Sequence, residues 1–209
     1  MAIKFDVKST TNLFVAVAVV AVILMLIIPL PTVLLDFLMA CNVLLSVLII
    51  LITLYTPKST DFSTFPTILL VSTVFSLALN VSSTRLILSK GSDFDGKMVT
   101  AFGEFVVGSG GTEGLLIGIV IFIILIAVQV AVITKGATRI AEVQARFTLD
   151  GMPNKMMAVD AEFNSGAITE EVAKQRKQEI QKEVDFYSSM DGASKFISGS
   201  VKVGIFITV

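Results

Sequence analysis

Histidine is absent from the 209-residue chain, and cysteine occurs once, as Cys41 within an apolar run. Those two shortages exclude a disulfide framework, zinc sites built from Cys and His, and nucleophilic triads that depend on a histidine base. Charge is scarce too: Asp, Glu, Lys and Arg make up 16% of residues, the formal net charge is −1, and basic residues are interspersed with acidic ones. No cationic stripe is available for nucleic acid, and no GxxxxGK[ST] pattern is present to cradle a nucleotide phosphate. The chain is therefore not read as an enzyme, and no catalytic, cofactor-binding or metal-ligating residue is assigned. What it has in plenty is apolar surface: 54% hydrophobic residues and a mean hydropathy of +0.87, more than a soluble domain of this length carries. Such a chain belongs in a membrane, with Cys41 a small buried hydrophobe.

Four stretches reach the roughly 20 apolar positions that cross about 30 Å of hydrocarbon. They lie at about 13–30, 33–55, 66–88 and 115–133. The first follows Lys4 and Lys8 but is too long for a signal h-region and lacks a small-residue cleavage site, so it is read as a span. Pro29 and Pro31 bracket a tight connection to the second span, and Pro66 fits the first turn of the third. Between Ser89 and Gly114 the hydropathy collapses into KGSDFDGK, the mildly amphipathic MVTAFGEFVV and GSGGTEG, a pattern that permits a short interfacial helix or a re-entrant excursion. Residues 134–196 are polar and helix-prone, and FISGSVKVGIFITV, residues 196–209, starts a fifth span from about 197. The segment from Val203 to Val209 is too short to cross, so the sequence reads as a fragment of a longer protein. The expected fold is all-α: a polytopic transmembrane helical bundle, with region 1–133 holding four spans and 134–196 inserted as a helical loop.

Positive charge is retained on the cytoplasmic side of bacterial membranes. Lys4, Lys8, Lys58 and the set from Lys135 to Lys195 fall on one side of an alternating arrangement, whereas Arg85, Lys90 and Lys97 on the other are balanced by Asp93, Asp95 and Glu104. The N-terminus and the 134–196 loop are thus expected to be cytoplasmic.

Within that loop, Ile140, Val143 and Phe147 recur at helical spacing, with Arg139, Glu142, Arg146 and Asp150 on another side. Glu142 with Arg146, and Arg146 with Asp150, are i,i+4 pairs, which on an ordinary solvated face contribute a few tenths of a kcal/mol each. Gly151 and Pro153 are expected to end this helix, and a second is expected from Ile168, with Thr169 as N-cap and Glu170 and Glu171 on the positive end of the dipole. Arg85 either faces protein or water near the end of its span or snorkels to the interface. Asp36 reads as structural, near a helix start that Thr32 can cap, and Asn42 and Gln129 read as polar glue between helices. Met152, Met156 and Met157 are adaptable contact residues.

The runs RIAEVQARFTLDGMPNKMMAVDAE (139–162) and DFYSSMDGASKF (185–196), with FPTILL, LALNVSSTR and AFGEFVVG, closely resemble the flagellar and virulence type III secretion export-gate family, FlhA and its injectisome relatives (the FHIPEP family). DFYSSMDGASKF resembles the flagellar branch more than the injectisome branch. The resemblance implies an inner-membrane export-gate subunit at the flagellar basal body, coupling proton motive force to export of flagellar proteins. It implies a homo-oligomeric, nonameric ring among other export-gate membrane proteins and membrane lipid, with substrates and chaperones docking on a C-terminal domain that is absent here. No nucleic-acid partner and no cofactor are implied. The ion-coupling or gating charges it suggests are Arg85, Arg146, Asp150, Lys155, Asp160 and Lys195, drawn together near the cytoplasmic mouth. The alternatives are a ring scaffold whose charges bridge subunits without ion coupling, or the homologous injectisome gate. Two departures stand out. MPNKMM replaces the family's MPGKQM, where Asn154 keeps a left-handed turn available, and Ser200 stands where relatives commonly have Asp.

Overall fold

The computed structural model describes residues 20–57, 62–108 and 111–208. All of these residues lie in helices or their connections, with no strand among them. The helices are α1 (described over 20–27), α2 (Thr32–Tyr55), α3 (Phe65–Lys90), α4 (Lys97–Val107), α5 (Gly111–Val128), α6 (Thr138–Asn164) and α7 (Glu170–Thr208). Three helical stretches, Thr32–Tyr55, Phe65–Asp93 and Gly114–Asn164, are long and apolar enough to cross a membrane. Most of the expected first span lies outside the described residues. The chain divides into two compact units, one from Met1–Leu48, Val71–Ile123 and Val203–Val209, the other from Ile49–Leu70 and Ile124–Lys202.

In the first unit hydroxyls of α3 reach both neighbouring helices, Ser82 donating to Met25 O of α1 and Ser76 to Asn42 of α2. Leu35, Ala78 and Leu79 are buried with Thr32, Ser82 and Ser83. Where lipid offers as much apolar contact as another helix does, such hydroxyls supply interhelical hydrogen bonds. Asn42 plays the part expected of it, its Oδ1 accepting from the Ser76 hydroxyl at 2.9 Å. Phe37, Leu44, Leu115 and Leu116 stay 63–66% exposed, as lipid-facing residues do.

In the second unit the fourth span does not stop at a loop. α5 passes through a π-helical stretch, Gln129–Ala137, straight into α6. The Thr138 hydroxyl donates to the Ile133 carbonyl at 3.5 Å, across the widened turn. α6 then runs through both Gly151 and Pro153, which corrects the helix end expected there. Proline removes one backbone donor and crowds the preceding turn. Here Met152 before it and Val159 after it pack with Ala173 and Ile180 of α7 in one cluster, edged by Met156, Ile168 and Val184. Packing on both sides of the proline outweighs its local cost.

The hairpin turn comes at 165–168 instead of at Asn154. The Gly166 N–H donates to Phe163 O and the Ala167 N–H to Glu162 O, both at 3.0 Å, the paired bonds of a Schellman ending. Gly166 has φ +75°, a conformation that costs a side chain but not glycine. α7 restarts at once, with the Thr169 hydroxyl accepting from the Val172 N–H at 3.4 Å and Glu170 and Glu171 in the first turn. It continues for 39 residues, so the second loop helix and the start of the expected fifth span are one element.

Candidate functional site

Of the six candidate charges, Arg85 makes its contacts in the first unit. It sits in the last turns of α3 and reaches the end of α1, where carbonyls have no intrahelical partner. Its Nη1 donates to Ile27 O at 2.9 Å and its Nη2 to Leu26 O at 2.7 Å. The Ser82 hydroxyl, one turn earlier, donates to Met25 O at 2.8 Å. A cation on two consecutive carbonyls, with a hydroxyl on the one before them, is a helix C-cap supplied by another helix, and the cation has the sign the dipole favours. Asp36 mirrors it: its two carboxylate oxygens accept from the Lys97 and Met98 N–H groups at 2.9 and 3.0 Å, capping α4 from α2. Thr32 is the first helical residue of α2 and donates to Asp95 at 3.1 Å, while Asp95 also accepts from Lys90 at 2.5 Å. The expected capping role of Thr32 thus gives way to a tertiary bond.

The other five candidates belong to the second unit, on α6 and α7. Lys155 pairs with Glu183 at 2.8 Å and Asp160 with Lys177 at 2.5 Å; Glu162, not singled out from the sequence, pairs with Arg176 at 2.6 Å. These three bridges cross the hairpin and flank its apolar cluster. Nearer the π-helical stretch, Arg146 and Asp150 stand 3.8 Å apart and are 82% and 72% exposed. Glu142 pairs with Arg139 at 3.0 Å and not with Arg146 as its i,i+4 spacing suggested. Lys195 pairs with Asp191 at 2.7 Å. Asp191 was likewise not singled out from the sequence: its second carboxylate oxygen is shut off from solvent without a hydrogen-bond partner. The i,i+4 spacing of Asp191 and Lys195 was the available signal. Ser200, where the resemblance led to an expected Asp, turns its hydroxyl back to Ile197 O at 2.8 Å. Among the described residues no cluster of three or more His, Cys, Asp or Glu side chains could hold a metal.

The hydrogen bond from Lys195 to Asp191, with their charge attraction and the more distant Glu142, lifts the Lys195 ammonium above the ordinary value of 10.5. A raised lysine contributes stability that is complete below the unfolded value and lost only as pH rises through the folded one. The Lys90 hydrogen bond does the reverse to Asp95, holding its carboxyl below 3.8. That contribution is present above the ordinary carboxyl value and is lost as pH falls through the lower one. Nζ resonances of labelled lysine are therefore expected to show Lys195 losing its proton at higher pH than the ordinary lysine value of 10.5. Titration of Lys195 at or below that value would overturn the assignment.

The sequence profile of the FHIPEP family matches residues 22–209. The chain belongs to the FHIPEP family. Among its relatives, a flagellar biosynthesis protein FlhA from Treponema pallidum is 61% identical over 96% of this chain and 28% of its own length. Those from Borreliella burgdorferi and Salmonella typhimurium are 57% and 50% identical, over 97% and 92% of this chain and 29% and 28% of their own. The chain thus spans under a third of these FHIPEP relatives and sits in the flagellar branch of the family. No solved structure matches it.

Proposed function

We propose that the chain is the membrane portion of an export-gate subunit of the flagellar type III protein export apparatus, coupling proton motive force to export of flagellar proteins. The observation that carries the reading is family membership together with a charged hairpin that continues directly from a membrane-length helix. In this reading the protein sits in the bacterial inner membrane at the basal body, with its N-terminus and the 134–196 hairpin in the cytoplasm. Copies form a ring among other gate proteins, and substrates and chaperones meet a C-terminal domain.

The candidate charges divide by what they touch. Arg85 caps a helix, and Lys155 and Asp160 bridge α6 to α7. Arg146, Asp150 and the Asp191–Lys195 pair are left for coupling. Arg146 and Asp150 are the more open to solvent, and one oxygen of Asp191 is unsatisfied. The second reading, a scaffold without ion coupling, draws support from the bridges that Lys155 and Asp160 make within one chain, since such pairs hold shape without conducting.

Proton leak measured in vesicles carrying the full-length protein separates the two. Asp150→Ala and Arg146→Ala are expected to change the leak severalfold while crosslinking shows an intact ring. Unchanged leak with a weakened ring would leave the scaffold.

A further inference from the structure

The exposed face of α4 has no place in the reading above. Its sequence, KMVTAFGEFVV, sets Met98, Ala101, Phe102 and Phe105 on one face and Thr100, Gly103 and Glu104 on others. Phe105 is 86% exposed and Phe102 59%. An 11-residue helix is only about 16 Å long and cannot cross a bilayer.

Both ends of this helix are held against the first turns of membrane helices. At the N-terminus the Asp36 carboxylate, one turn into α2, accepts from the Lys97 and Met98 N–H groups. At the C-terminus the Val107 side chain fills a notch on α5: a methyl at Gly114 or Gly118 would lie 3.4 Å from it. Gly114 opens the membrane-length stretch and Gly118 lies one turn inside it, level with the outward-facing Leu115 and Leu116. One turn of helix is about 5 Å, so α4 is fixed within the first two turns of the apolar stretch. An amphipathic helix rests about 5–10 Å into the headgroup and acyl boundary.

From the two clamps and their depth we infer that α4 is an interfacial membrane helix, with the Phe102–Phe105 face seated in the bilayer at the boundary of headgroups and acyl chains. The partner is the lipid surface itself. The clamps at Asp36 and at Gly114/Gly118 set the helix height, and the phenylalanines supply the apolar area that makes burial in lipid favourable. Asp36 thereby gains a reason to occupy an apolar span: its charge meets two N–H donors and a positive helix end at the interface. The inference is independent of any role in export.

Full-length protein with Cys41 and every other cysteine replaced by Ala, reconstituted in phosphatidylcholine vesicles, allows a direct test. A polarity-sensitive fluorophore is attached at Phe105→Cys, at Phe102→Cys as a second position on the same face, and at Glu104→Cys on another. Iodide in the water and lipids spin-labelled near the headgroup serve as quenchers. Quenching by iodide is expected to be about threefold or more weaker at Phe105 and Phe102 than at Glu104, with lipid quenching in the opposite order. Equal access of iodide to all three positions would overturn the inference in favour of a water-exposed face. Protection of Phe102 and Phe105 from both quenchers would overturn it in favour of a protein cover.

Discussion

Arg85→Ala is expected to release the last turn of α1 and to destabilise the first unit by about 2 kcal/mol, with Arg85→Lys falling between the variant and the native chain. The guanidinium donates to Ile27 O at 2.9 Å and to Leu26 O at 2.7 Å. Hydrogen bonds from a charged donor contribute roughly 1.5–3 kcal/mol net, and a cation at a helix C-terminus up to about 2 kcal/mol in a partly buried setting. Arg85 keeps contact with solvent, so the freed carbonyls find some water and the low end applies. Lysine carries the same charge as a point donor and cannot fork across two carbonyls. Ser82→Ala, which frees only Met25 O, is expected to cost about 1 kcal/mol. Thermal unfolding of the purified protein in micelles would rank the three. A charge serving as a gate predicts a different outcome, altered proton leak at native stability. Full native stability of Arg85→Ala would sink the capping assignment.

The two caps in the first unit show where a single sequence stops being informative. Hydropathy marked the helices α2, α3 and α5 because lipid imposes a length and a polarity on each one separately. Nothing local tells Arg85 that its acceptors lie 58 and 59 positions earlier, or Asp36 that its donors lie 61 and 62 positions later. Those partners exist only once the helices meet.

The second unit shows the converse failure, a local rule applied where tertiary packing decides. Gly151 and Pro153 carry the usual marks of a helix end, yet the chain turns at Gly166, and the Asn-Ser-Gly run at 164–166 was the better signal. Likewise Arg146 with Asp150 was legible as an i,i+4 pair, but the bridges from Lys155, Asp160 and Glu162 needed the antiparallel register of α6 and α7.

Val159→Asp is expected to open the tip of the α6–α7 hairpin, at a cost above about 3 kcal/mol. Val159 is 5% exposed and clusters with Met152, Ala173 and Ile180, so a carboxylate there loses water and gains no donor. Val159→Ala only shrinks the side chain and is expected to cost about 1–2 kcal/mol. Lys155→Ala removes one bridge between partly exposed groups and, by the usual worth of such pairs, costs about 1 kcal/mol or less. That ordering, apolar contact above ion pair, separates a hairpin held by its core from one held by its charges. Tryptic cleavage after Lys155, Lys174 and Lys177 in membrane vesicles reads it, with Val159→Asp cut fastest and Lys155→Ala compared at the two shared sites. Were Lys155→Ala to open the hairpin as far as Val159→Asp, the bridges would be its main support. Rigidity matters for the proposed coupling because α6 continues from a membrane-length helix and α7 runs unbroken to Thr208. A rigid tip lets movement of one helix displace the other, whereas an opened one absorbs it. Val159→Asp is therefore expected to reduce export while Arg146 and Asp150, on exposed positions of α6, keep their chemistry intact.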